Sequence, residues 1–249
     1  MKIARAPLIW VTRPQPGADR TAAALRQAGY APLVLPLTEI RACTPDLPPE
    51  SITDVDALAI TSANALRHAP TRLIESLKDR PLYAVGDATV AEARQLGFSD
   101  VISAQGAVDD LAALIRKRER PRARILYLAG RERIGDLEGK LTAGGLRCHV
   151  IEAYSAHIVS YPTQSIRDAI NGRMVDAVLF HSALSAHGFA DTVLPKMAQL
   201  FENTLYFSMS RRVADTLPSS LHPRTNIADT PNEQALLAAV KAALSTSAI

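Results

Sequence analysis

Apolar residues cluster along this chain in short runs, at 8–11, 33–37, 55–60, 83–85, 101–102, 125–128, 148–151, 175–180 and 205–206, interrupted only by single residues such as Pro36, Asp56, His149 and Asp176. Runs of this length without polar alternation read as strands buried on both faces. Segments of helical period lie between them: 18–27, 65–77, a stretch ending at Leu96, 109–117 and 234–244. Gly29 and Gly97 close the first and third of these helices, and Pro70 breaks or shortens the second. Thr230-Pro231-Asn232-Glu233 reads as a capping box with proline at the first helical position. Residues 41–49 hold three prolines and read as a crossing or linker. Strands alternating with helices imply parallel sheets covered by helices on both faces.

The pattern occurs twice. Val55-Asp-Ala-Leu-Ala-Ile-Thr-Ser62 is matched by Val175-Asp-Ala-Val-Leu-Phe-His-Ser182, 120 residues later. Residues 8–13 pair with 125–131, 25–34 with 141–150, and Leu82-Tyr83 with Leu205-Tyr206, at offsets drifting between 116 and 123. The helix at 109–117 pairs with the one at 234–244. Five paired units in one order indicate two copies of one fold with small insertions. The fold class is therefore α/β, with two doubly wound domains.

A length of 249 residues accommodates two domains. With 47% hydrophobic residues but only 5% aromatic ones, the core must be built from Ala, Leu, Val and Ile. The net charge of +3 suits an anionic ligand and is too small for a nucleic-acid-binding tail. The basic string from Arg116 to Arg124 reads as a solvated helix end. Two cysteines, Cys43 and Cys148, match no metal spacing and point to a reducing, cytoplasmic setting. No apolar stretch approaches the roughly 20 residues of a membrane span, and no signal-peptide pattern follows the first apolar run.

Ligands of open parallel sheets bind beyond the carboxyl ends of the strands, where helix N-termini present free N–H groups. Ser62, Thr89, Ser182 and Ser210 stand at such turns. Helix capping is the ordinary role of any one of them. Four in equivalent places would line the strand ends with donors suited to carboxylates or phosphates. The glycine patterns of dinucleotide and phosphate loops are absent, as is the nucleophile elbow. His181 and His187, six apart, share no helical face for a metal, and His149 points away from Cys148 across a strand. Tyr154 follows the strand 148–151 within Glu152-Ala-Tyr-Ser-Ala156, at the position that Thr38 holds in the first copy. Such a tyrosine usually packs; at a domain junction its phenol could also donate a proton.

Taken in order, Val11-Thr-Arg-Pro14, Ile60-Thr-Ser-Ala-Asn-Ala65, Ala84-Val-Gly-Asp-Ala-Thr89 with Gly97-Phe98, Glu152-Ala-Tyr154, Val178-Leu-Phe-His-Ser182 and Ser210-Arg-Arg-Val-Ala214 give the chain its family character. In nearly its whole length it resembles the uroporphyrinogen-III synthases. The resemblance implies two flavodoxin-like domains, residues 1–37 with 157–249 and residues 41–153. Linker strands at 38–41 and 153–157 would join them, with a cleft between as active site. It implies cyclisation of hydroxymethylbilane to uroporphyrinogen III, with inversion of the last pyrrole and loss of water. No cofactor or metal is implied. The expected partner is that small-molecule substrate, with neither nucleic acid nor membrane; the expected protein is a cytoplasmic monomer in transient contact with the enzyme that makes the bilane. By motif position Tyr154 would be the catalytic acid, and Arg13, Ser62, Thr89, Ser182 and Ser210 would bind substrate carboxylates. Whether Ser208 or Ser210 takes that last role stays open. The alternative function is a non-catalytic, two-lobed binding or regulatory protein for a polyanionic small molecule.

Overall fold

A computed structural model describes residues 5–44, 52–104, 106–133 and 135–246. The first half of the chain holds β1 (Leu8–Val11), α1 (Gly17–Gln27), β2 (Ala31–Val34), β3 (Thr38–Ala42) and β4 (Ala57–Ile60). It continues through α2 (Ala63–His68), α3 (Thr71–Leu77), β5 (Leu82–Val85), α4 (Asp87–Gln95), β6 (Val101–Ala104) and α5 (Val108–Arg118). The second half opens with β7 (Arg124–Gly130), α6 (Leu137–Ala143), β8 (Arg147–Ile158), α7 (Thr163–Ile170) and β9 (Ala177–Phe180). It closes with α8 (Ala183–Gly188), α9 (Leu194–Met197), β10 (Leu205–Ser208), α10 (Arg211–Ala214), β11 (Thr225–Ile227) and α11 (Glu233–Thr246). The expected linker at 41–49 falls partly on residues 45–51, outside the described ones.

The chain divides into two compact units, Met1–Glu39 with His157–Ile249, and Ile40–Ala156. The first carries a sheet in the order β2-β1-β9-β10-β11, and its four neighbouring pairs are parallel. The second carries β3-β8-β7-β4-β5-β6, parallel from β8 through β6. The first follows the doubly wound 2-1-3-4-5 order, and the second, apart from β3, runs 5-4-1-2-3 in chain order, a circular permutation of it. The repeat shows how this arises: each half's first β-α-β segment joins the three later strands of the other half. Strand order reverses between β1 and β9 in the first unit and between β7 and β4 in the second.

Strand parity sets the layers. Trp10, Val178 and Phe180 face one core cluster of the first unit, while Ile9, Ala177 and Leu179 face the other. In the second unit Leu58 and Ile60 face one cluster, and Ala57 and Ala59 the opposite one. Successive side chains of a strand point to opposite faces, so a sheet covered on both sides needs every residue apolar. β2 tolerates Pro32 because it lies at the sheet edge. Gly29 and Gly145, at φ 85° and 82°, make the same left-handed turn after α1 and α6. There the N–H groups of Tyr30 and Leu146 reach back to Leu25 and Leu141.

Pro70 does divide the helix expected over 65–77, standing as the residue before α3. Several elements lie where the apolar pattern signals none, α7 and β11 among them. α7 buries only Ile166 and Ile170, and β11 is Thr-Asn-Ile at a sheet edge, where pairing matters more than burial. The capping box before α11 does not form. Asn232 accepts from Ala235 N at 2.9 Å instead, and the Glu233 carboxylate is used elsewhere.

Candidate active site

Tyr154 sits in β8 just past a bulge in that strand, beside the end of β7. Ala129 pairs with Glu152 but Gly130 with Tyr154, so the register slips by one residue. The bulge lays the Tyr154 ring over Gly130: a Cβ there would lie 2.7 Å from Cζ and 2.9 Å from the hydroxyl oxygen. The His68 ring, at the end of α2, stands 6.3 Å away between centroids. Burial and the adjacent Arg67 hold His68 below its ordinary pKa, so it is neutral at pH 7. Arg67 is itself paired with Glu92. Among the described residues the Tyr154 hydroxyl has no hydrogen-bond partner, and the residue is only half-buried.

The same strand ends bring up groups that the sequence reading did not single out. Arg131 Nε and Arg133 Nη1 both reach the Glu152 carboxylate, at 3.1 and 3.2 Å. The hydrogen bond from Arg131 does most to lower the Glu152 pKa; burial opposes it, and the Arg133 hydrogen bond with the charges of both arginines carries the net shift downward. Arg133 also donates to Gly130 O, and Arg131 N donates to Tyr154 O at 2.8 Å. The signal for Arg131 was in the repeat, where it aligns with Arg13. Beside them Ser62 is the N-cap of α2, its Oγ accepting from Asn64 N at 3.3 Å. Thr89 lies inside the first turn of α4 and is only 4% exposed. Tyr127 shares a hydrogen bond with Thr61 at 3.1 Å, and burial raises its pKa.

In the first unit the ends of β1 and β9 meet the start of α11. Arg13 donates to Glu233 Oε2 at 2.6 Å, Thr21 to Oε1 at 2.5 Å, and His181 Nε2 lies 2.9 Å from Oε2. Burial opposes the charge of Glu233. The hydrogen bonds from His181 and Thr21 and the charge of Arg13 outweigh it and bring the pKa down to about 2. Burial also lowers the pKa of His181, so near neutrality the counter-charge comes from Arg13. A neutral His181 that donates through Nε2 leaves Nδ1 as a buried acceptor, without a partner among the described residues. Arg13 is thus largely committed within the protein.

Ser182 caps α8, its Oγ accepting from Ser185 N at 3.2 Å. Ser210 occupies the N-cap of α10 in extended backbone but makes no side-chain cap bond. Ser208 is completely buried at the end of β10, and its hydroxyl has no partner among the described residues. Of the two, Ser210 is the one whose hydroxyl can be reached. Among the described residues no cluster of three His, Cys, Asp or Glu could hold a metal, and no helix is long and apolar enough to cross a membrane. Both cysteines are free thiols.

Two doubly wound α/β units, each with capped hydroxyls and polar groups at the carboxyl ends of its strands, define a class of two-unit proteins built for polar ligands. A family model described as uroporphyrinogen-III synthase HemD matches residues 19–238. The chain belongs to the uroporphyrinogen-III synthase family, the hydro-lyases of tetrapyrrole biosynthesis. Its fold is similar to the crystal structure of uroporphyrinogen-III synthetase from Helicobacter pylori, with a TM-score of 0.67 and 21% identity over 97% of this chain and 99% of that one. It is also similar to a mutant uroporphyrinogen III synthase of Thermus thermophilus, with a TM-score of 0.54 and 18% identity over 97% and 100%. No curated protein matches the chain significantly.

Proposed function

We propose that the chain closes hydroxymethylbilane to uroporphyrinogen III, with Tyr154 as the acid for the departing hydroxyl. The observation that carries the reading is the Tyr154 phenol, fixed by Gly130 and β8 yet left without an internal hydrogen-bond partner among the described residues. The pyrrole nitrogen pushes out the hydroxyl, the phenol supplies the proton that makes it water, and an electrophilic azafulvene remains. The substituted carbon of the last ring attacks that centre to give a spiro intermediate, whose rearrangement inverts the ring before closure. The ring proton lost at aromatisation restores the phenol. Much of the rate then comes from holding the substrate in a reactive fold, and the isomer formed follows from which attack that fold favours.

Ser62, Thr89, Ser182 and Ser210, with the N–H groups of the helices they open or lie within, hold the substrate's carboxylates. Arg13 contributes the quarter of its side chain that Glu233 and Thr21 leave exposed. Arg131 and Arg133 add charge beside Tyr154. No resident cofactor takes part, and the chain acts as a cytoplasmic monomer that receives its substrate in transient contact with the enzyme that makes it. The test is to supply freshly made hydroxymethylbilane and separate the porphyrin isomers after oxidation. Excess type III isomer, formed faster than the spontaneous reaction, is expected. Type I alone at the spontaneous rate would overturn the proposal.

A further inference from the structure

A second charged site lies at the opposite ends of the second unit's strands. Arg80 comes just before β5, Arg120 and Arg122 lie between α5 and β7, Arg124 opens β7, and Arg147 opens β8. These five arginines line one concave basin of about 440 Å³, together with Asp54 and Asp56.

The two aspartates do not balance them. Asp56 accepts from Arg120 at 2.9 Å and from Arg124 N at 2.8 Å, and Asp54 pairs with Arg124 at 3.1 Å. Among the described residues Arg80, Arg122 and Arg147 have no hydrogen-bonded carboxylate. Five positive against two negative charges leave an excess of three, equal to the net charge of the whole chain. Arg122 is held at φ 64°, a conformation that favours glycine or asparagine, with its N–H bonded to Gly145 O at 2.9 Å. Segments far apart in the chain thus bring like charges together, where they repel one another. A multivalent anion relieves that repulsion. Guanidinium forks match the oxygens of phosphoryl groups in pairs, and the volume is that of a small-molecule site rather than a flat docking face.

We infer that this basin binds a small, multiply charged anion of the phosphate type, one carrying two or more linked phosphoryl groups. The basin is at the amino ends of the strands and the Tyr154 group at the carboxyl ends, so the inference does not rest on the reaction proposed above. Titration of pyrophosphate into the full chain at low ionic strength, followed by calorimetry, tests it. Saturable binding is expected, at least tenfold weaker in the Arg80→Ala/Arg147→Ala double variant and unchanged in Arg94→Ala, an exposed arginine elsewhere. Acetate, with one charge, should not compete, and porphyrin isomer formation by the double variant should match the parent. Absent binding, or equal binding by the parent and the double variant, overturns the inference. So does binding of polyglutamate but not pyrophosphate with the same arginine dependence, which would make the surface one for acidic macromolecules.

Discussion

The phenol of Tyr154 stands where it does because residue 130 has no side chain. In Gly130→Ala the new Cβ would fall 2.7 Å from the ring and force it aside, while the hydrogen bond from Arg131 N would still hold the β8 backbone. General-acid groups contribute about 10²–10⁴-fold, so Tyr154→Phe should lower kcat by about 100-fold or more with an unchanged melting profile. Gly130→Ala should approach the same loss. Single-turnover measurements of porphyrin formation check both; full activity in Tyr154→Phe would remove it from the chemistry. The candidacy of Tyr154 was legible from its place at the end of an apolar run. The need for Gly130 was not, because a bulge depends on how two strands register and leaves no periodic mark in either.

At the scale of elements, helix starts carry the polar groups, and their costs should differ. Ser62 and Ser182 each accept from a backbone N–H of their helix, whereas Ser210 does not. Replacing Ser182 by alanine should cost about 1 kcal/mol, and replacing Ser210 clearly less, as read from denaturant midpoints. A larger loss at Ser210 would contradict the geometry. The start of α11 behaves differently again, since Glu233 gives up the expected capping role for partners 212 and 220 residues away. Its folded pKa, about 2, lies below the ordinary 4.5. The unfolded chain therefore binds its proton first, and the stability from this group is full above pH 4.5 and lost as pH falls towards 2. Acid titration of stability should show a shallower fall over that window in Glu233→Gln; identical slopes would mean that Glu233 is not linked to folding. The four hydroxyl positions could be read from the strand-to-helix pattern. The Arg13-Thr21-His181-Glu233 group could not, because local periodicity says nothing about which distant helix start faces a strand end.

At the scale of the whole molecule, the repeat made both copies legible, but the exchange of their first segments came only from the family resemblance. The apolar strands of the two copies are alike, so the pattern alone fits pairing within a half as well as across halves. The structure carries the physical distinction at the chain crossing. Val159 N donates to Leu37 O at 3.0 Å, so the backbone leaving the first unit returns beside its point of departure. The second unit reads as an insertion between two bonded residues, with both of its core clusters drawn from its own strands and helices. A unit with its own core can fold alone. Residues 40–156 expressed separately should therefore melt cooperatively with an α/β circular-dichroism spectrum. Residues 1–39 joined by a short linker to 157–249 should do the same, because the β1–β9 pairing closes its sheet without help. If the repeat halves had instead folded as separate copies, a cut near Pro121 would give two cooperative fragments. The exchange predicts that fragments 1–120 and 121–249 each lack strands for their sheets: the first would keep β4-β5-β6 without β7 and β8, the second β9-β10-β11 without β1 and β2. Cooperative melting of both halves, with no gain on mixing, would overturn that division of the chain.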